Sequence, residues 1–309
     1  MPFPLHFYHW ISAWMGLISV TSFLLNGCVI ITFLTNRALL TSSNYLLLSM
    51  AFSDWLRSVF VAPIAAYANA KHWWTLHPSV CQYFAFSSTV LGLTSMIHLV
   101  ALSVEKCYTI KMPSTQLISE RKIIAVIIGL WLFSLLWSLF PLLGWSSFGP
   151  EPGYSGCSIT WNSKVPSDKA YTISLFVFFF FFPVTLSTLC YVLIHKEIGK
   201  MATDAAKRWG PLAQPTQETI QAKIKTVKMS FVMLVAFLVA WFPYAIVSLY
   251  SSLSSKSVAP VLGTLPALFA KTSTCCNPVI YFFMFKKFRV ALTNMFPKNQ
   301  IAPLQSSNN

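Results

Sequence analysis

Acidic residues are scarce in this sequence: eight Asp and Glu stand among 309 residues, against 22 Lys and Arg. Charged residues of both signs make up 10% of the chain, where a soluble domain carries about a quarter. No Asn-x-Ser/Thr acceptor occurs, so no N-glycan marks an outer face. No His, Cys and acid cluster has metal-ligand spacing, and nothing resembles a hydrolase site. Met1 to Ser12 hold no Lys or Arg, and no small-residue cleavage site follows a short apolar core, so no cleavable signal peptide is expected. No internal repeat is visible, and the one low-complexity stretch is a run of Phe.

What is abundant is apolar: the chain is 55% hydrophobic and 16% aromatic. Seven apolar segments, near 9–34, 44–70, 79–108, 122–144, 169–195, 225–250 and 259–284, can each cover roughly 30 Å of hydrocarbon. Open sheet cannot cross lipid, so these segments are expected to be helices. A soluble all-α protein would need polar faces on them, and Ser174 to Val184, with six Phe residues, has almost none. The expected fold is an all-α membrane protein, a seven-transmembrane helix bundle. The net charge of +14 falls in alternate polar gaps rather than on one soluble face, which argues for membrane orientation and against nucleic acid.

The gaps after the first, third and fifth segments, with the tail, hold sixteen Lys and Arg; the opposite gaps hold four, Lys71, Lys164, Lys169 and Lys256. Basic loops stay in the cytoplasm, so the C-terminus is expected inside a cell membrane and the N-terminus outside. Of seven cysteines, only Cys81 and Cys157 fall on the expected outer, oxidising side. If there is a disulfide, those two form it; otherwise they are free thiols. Residues 196–224, with Gly210, Pro211 and Pro215, read as a loop with helical extensions at each end. Residues 1–296 read as one receptor-like unit and 297–309 as a disordered polar tail.

Each segment carries one landmark. These are Asn26-Gly27; Asn44 to Asp54; Cys81 and, at the segment's end, Glu105-Lys106-Cys107; Trp131 with Pro141; Pro183 and Tyr191; Ala240-Trp241-Phe242-Pro243-Tyr244; and Asn277-Pro278-Val279-Ile280-Tyr281. Phe285-Lys286-Lys287-Phe288-Arg289 then begins an amphipathic surface helix. Together and in order, they resemble the rhodopsin-like G-protein-coupled receptors over almost the whole chain.

Lys271 narrows the resemblance to the opsins. It lies six residues, about 9 Å of helix, before Asn277. A lysine at mid-membrane is costly and marks function. Its amine can form a Schiff base with an aldehyde, and opsins have their retinal lysine at this spacing. The resemblance implies 11-cis-retinal on Lys271, with Thr89, Gly92, Phe176, Phe180, Trp241 and Tyr244 as pocket walls. An elongated apolar slot suits a polyene.

A protonated Schiff base is a buried cation and needs a negative partner; without one it gives up its proton and absorbs toward the ultraviolet. Many visual opsins have a Glu three residues after the third-helix cysteine, where this chain has Phe84. High in the second segment stand Pro63, Ile64, Ala65 and Ala66, none acidic. The most favourable acid left is Glu151, six residues before Cys157, and the resemblance implies a lid role for it, since many opsins have a Glu at that spacing in the loop over the pocket. Arg57 adds a second cation where the family pattern faces the retinal attachment. It either pairs with Asp54 at i, i+3 or helps hold a chloride ion. Three counterions stay open: Glu151, a bound anion, or none.

At the other end Glu105-Lys106-Cys107 replaces the family's acid-Arg-Tyr, and Lys223 and Lys225 stand where the sixth segment usually offers an acid. A resting-state lock between these helices is therefore not expected. Tyr191 and Tyr281 are the candidates for active-state hydrogen bonds. Asp54, Asn26, Ser95 and Asn277 are candidates for a polar network joining the two ends, and the resemblance places Pro278 with Asp54, Glu105, Lys106, Tyr191, Asn277 and Tyr281 among the residues of activation and G-protein coupling. The leading function is a light receptor that activates a heterotrimeric G protein, with arrestin as a further partner. A retinal photoisomerase is the alternative. A microbial-type ion pump would need paired acids along the third segment, and a retinal-free chemoreceptor leaves Lys271 unexplained.

Overall fold

Peptide groups in hydrocarbon have no water to bond, so apolar segments of this length close their hydrogen bonds internally as helices. The computed structural model describes residues 2–72, 74–112, 118–209, 214–254 and 256–295. The 297–309 tail lies outside them. Among the described residues, six helical spans are long and apolar enough by length and composition to cross a membrane. The first is α1 (Leu5–Thr35); the second is α2 (Ser42–Phe60) continued by α3 (Ala62–Ala70). The third is α4 (Pro78–Lys111) and the fourth α5 (Glu120–Leu139). The fifth is α6 (Pro166–Phe176), a wide turn and α7 (Phe182–Trp209), and the sixth is α8 (Gln214–Ser254).

The seventh span is in two pieces, α9 (Pro260–Lys271) and α10 (Ser273–Met284), each 12 residues long. Hydroxyls explain the break. Thr272, Ser273 and Thr274 each donate to the carbonyl three residues back, at 2.6, 2.8 and 3.2 Å. Side chains thus occupy carbonyls that the helix ladder would use. The break falls immediately after Lys271. An amphipathic helix, α11 (Lys286–Met295), follows the seventh span.

Prolines account for the other irregularities. The second span breaks at Val61, two residues before Pro63. In the fifth, a π-turn at Val177–Phe181 precedes Pro183. Pro offers no N–H and crowds the carbonyl four residues back, and one extra residue in the turn relieves the crowding. The fifth and sixth helices reach further than 195 and 225, so of the expected 196–224 loop residues 196–209 and 214–224 are helical, and residues 210–213 lie outside the described residues. Pro215 falls in the first turn of α8, where a missing N–H costs nothing.

The third span is the hub, packing against the second, fourth, fifth and sixth. Buried Met50, Leu99, Leu102, Met233 and Tyr281 fill the core on the α11 side, while Phe3, Tyr8, Trp74 and Phe84 fill the other end. Outward residues such as Leu143, Phe283 and Leu253 are apolar and exposed, as a lipid-facing surface requires. A two-stranded antiparallel hairpin, β1 (Phe148–Pro150) with β2 (Cys157–Ile159), lies across one end of the bundle. The Cys81–Cys157 disulfide ties it to the third span.

Candidate functional site: a half-buried lysine, a lid and an aromatic slot

The hairpin is held as a lid by three separate elements. Tyr8 Oη donates to Gly153 O at 2.9 Å from the first span. Asn69 Nδ2 donates to Ser155 O at 2.8 Å from the second. Trp74 N donates to Tyr154 O at 2.8 Å from the link that follows. Glu151 N donates to Gly156 O at 2.9 Å, and Tyr154 N to Glu151 O at 2.8 Å, which makes the hairpin tip a tight turn. Gly153 is needed for the close docking. A Cβ there would sit 2.1 Å from Thr264 Oγ1 and 2.6 Å from a Phe3 ring carbon.

That turn aims Glu151 down into the bundle. Its side chain is 4% exposed, and its Oε1 lies 3.4 Å from Lys271 Nζ. Its Oε2 is buried with no hydrogen-bond partner. The amine also lies 6.0 Å from the centre of the Phe84 ring. Phe84 is fully buried, so the amine meets an apolar wall on the side of the third span. The lysine's carboxylate comes from the lid instead.

From Lys271 a cavity runs toward the fifth span. Thr89, Gly92, Phe176, Phe180, Trp241, Tyr244, Glu151 and Arg57 all line it. Sequence reasoning missed Trp161, whose Nε1 donates to Tyr244 Oη at 2.9 Å and closes the slot beneath the lid. It also missed Met96 and Phe179 as walls. The only available signal was Trp161's place four residues after Cys157, on a segment with no periodicity to orient it. Trp241 Nε1 donates to Ser273 Oγ at 3.1 Å, which links the slot's floor to the break beside Lys271.

Arg57 is where the expectation needs correcting. Asp54 does not pair with it. Asp54 Oδ1 accepts from Ser95 Oγ at 2.9 Å and Oδ2 from Asn277 Nδ2 at 3.4 Å. Arg57 Nη2 instead donates to Ser88 O at 2.9 Å, with its guanidinium 5.9 Å from the Trp241 ring centre. A Cβ on Gly92 would lie 2.4 Å from Nη2, so a bare backbone is what admits the guanidinium there. Asn26 reaches the seventh span through Thr274 O at 3.0 Å, not through Asp54.

At the opposite end Lys106 Nζ donates to Ser43 Oγ at 2.7 Å, and that hydroxyl donates to Glu105 Oε2 at 2.5 Å. Glu105 Oε1 accepts from Thr109 Oγ1 at 2.8 Å. Among the described residues, no ion pair joins this group to the sixth span. Tyr191 Oη is 3.5 Å from Ser103 Oγ, and Tyr281 Oη is buried without a partner. Pro278 lies inside α10, one residue after Asn277.

The model of the seven-transmembrane receptor (rhodopsin family) matches residues 25–281. Melanopsin of Mus musculus is 33% identical over 309 residues, covering 96% of this chain and 59% of its own length. A melanopsin-like protein of Danio rerio is 32% identical, covering 95% of this chain and 59% of its own. The chain thus spans about three fifths of the length of these relatives. The crystal structure of squid rhodopsin superposes with a TM-score of 0.88 at 27% identity, over 96% of this chain and 87% of that one. The chain therefore belongs to the rhodopsin family of seven-transmembrane receptors, and within it is a divergent opsin of the animal type.

Proposed function

We propose that this protein is a light receptor that carries retinal on Lys271. The observation that carries the reading is the half-buried Lys271 amine, with a lid carboxylate 3.4 Å away, at the end of an aromatic slot. The unpartnered Oε2 of Glu151 suits a cationic linkage at that end, because a buried carboxylate oxygen without a donor is costly. Retinal bound through a Schiff base supplies light absorption and a double bond that isomerises, and the 11-cis form is the expected ground state. Within the chain, Lys271 anchors, Glu151 neutralises the cation, and Phe176, Phe180 and Tyr244 shape the slot. The lid keeps water away from the linkage.

In this reading the N-terminus is outside, the C-terminus is cytoplasmic, and the Glu105 end faces a heterotrimeric G protein, with arrestin as a further partner. Melanopsin and rhodopsin relatives support a light-sensing receptor. A retinal photoisomerase is a second reading, favoured by one observation: Lys106 is engaged by Ser43 at 2.7 Å instead of offering a planar fork outward.

Reconstitution with 11-cis-retinal tests the first reading. The wild type is expected to form a pigment that Lys271→Ala cannot form, and light is expected to drive nucleotide exchange on a G protein. Pigment formation in Lys271→Ala contradicts the anchor. A protein that, loaded instead with all-trans-retinal, releases 11-cis-retinal in light without nucleotide exchange favours the photoisomerase.

A further inference from the structure

One long side chain of the second span crosses to both the third and the sixth. Arg57 is buried, and Asp54, one turn away, attracts it through space while its own oxygens accept from Ser95 and Asn277. The guanidinium itself makes two other contacts. Its Nη2 donates to Ser88 O on the third span at 2.9 Å, and its Cζ lies 5.9 Å from the centre of the Trp241 ring on the sixth.

Gly92 makes that crossing possible. A Cβ there would lie 2.4 Å from Nη2 and 3.4 Å from Trp241 Cη2, so guanidinium and indole meet over bare backbone. Ser88 and Gly92 are one helical turn apart, so one face of the third span both anchors the cation and admits it. Arginine suits the place, because its planar cation can lie over an aromatic ring while its fork donates a hydrogen bond. Burial strengthens the attraction between cation and ring. The indole is tied at a second point, where Nε1 donates to Ser273 Oγ at 3.1 Å, two residues beyond Lys271. Trp241 thus joins the second, third, sixth and seventh spans while lining the slot.

We propose that Arg57 is a positioning residue that holds Trp241 in its resting place and so restrains the sixth span until the ligand on Lys271 changes shape. The inference rests on the reading of the protein as a retinal-bearing light receptor. A ligand that changes shape in the slot pushes on the Trp241 ring, and moving the ring gives up its contact with the guanidinium. The strength of that contact therefore sets how silent the receptor is in the dark.

The light-receptor reading is needed for only one of two test arms. In the first, the retinal-free protein is melted as a double-mutant cycle. Arg57→Met is expected to lower the midpoint, and to lower it by less than half as much in a Trp241→Leu background. Equal losses in the two backgrounds overturn the contact. Should Trp241→Leu fail to fold, Gly92→Ala takes its place: its Cβ displaces the guanidinium, so adding Arg57→Met is expected to recover part of the lost midpoint, and a further loss overturns the contact. In the second arm, nucleotide exchange on a G protein is followed in the dark with the 11-cis-retinal pigment. Arg57→Met is expected to raise it several-fold, and Arg57→Lys, which keeps the charge and loses the planar fork, to raise it less. A role in packing alone lowers the midpoint and leaves dark exchange at the wild-type level, and that result overturns the proposal. Should Arg57→Met fail to fold, Arg57→Lys and Gly92→Ala decide, and dark exchange unchanged in both overturns it equally. A wild type that forms no pigment, or drives no exchange in light, overturns the receptor reading instead, while the melting arm still decides whether Arg57 holds Trp241.

Discussion

Two lysine–glutamate pairs inside the bundle lie at its opposite ends, and they are built by different means. Lys271 and Glu151 stand 120 residues apart in sequence and meet at 3.4 Å because a disulfide-tethered lid folds over the seventh span. Lys106 and Glu105 are neighbours on one helix, where adjacent side chains do not face each other. Their atoms come within 3.6 Å because Ser43 of the second span gathers both. The first pair depends on the whole fold and leaves one carboxylate oxygen unused; the second is local and fully engaged by hydroxyls. The unused oxygen suits the proposed ligand at that end, and Ser43 makes the second group a joint between the second and third spans.

The comparison breaks most visibly if the two lysines are exchanged in importance. Lys271→Ala is expected to abolish the pigment completely, while Lys106→Met is expected to leave the absorption band in place and reduce light-driven nucleotide exchange. Equal spectra from wild type and Lys271→Ala would erase the distinction. A smaller effect is expected at the lid. Gly153→Ala puts a Cβ against Thr264 and Phe3, and overpacking of this kind costs roughly 1–3 kcal/mol. Its melting midpoint is expected to fall and its band to move, because Glu151 rides on the same turn. Gly129→Ala is the control: nothing lies within 4 Å of a Cβ there, and the added helix propensity is worth up to about 1 kcal/mol. If both variants melt alike, the lid is not docked as described.

The smallest effect is expected at Ser43. Ser43→Ala removes the hydroxyl shared by Glu105 and Lys106, and hydrogen bonds to charged groups contribute about 1.5–3 kcal/mol, less here because the pair can still close on itself. A modest drop in the melting midpoint is expected, with the spectrum unchanged. Activity in the dark is the sharper readout. A rise shows that the joint restrains the third span, and no change confines its role to packing.

The seven spans were legible because hydrocarbon admits only helices and closed barrels, and apolar runs of about 20 residues or more suit a helix rather than a barrel strand. Their irregularities were less so. Pro63 and Pro183 signal bends, but the break at Thr272 arises from three successive hydroxyls competing for carbonyls, and Ser and Thr elsewhere in the chain do this without breaking a helix. In the site, Glu151 could be singled out because the chain has so few acids and because Cys157 ties its neighbourhood to the third span. Arg57 misled for a physical reason. Spacing of i, i+3 says which side chains can meet, not which partners compete for them. Ser95 and Asn277 claim Asp54, and Gly92 opens a path for Arg57 toward Ser88. Trp161 lies on an irregular segment, where no period predicts which way a side chain points.

The pairing of Glu151 with Lys271 is the centre of the account, and the absorption spectrum of a Glu151→Gln pigment tests it most directly. Formed with 11-cis-retinal beside the wild type, the variant is expected to bind retinal yet lose most of its visible band to the near ultraviolet. An unchanged visible band would contradict Glu151 as the carboxylate that holds the charge on Lys271.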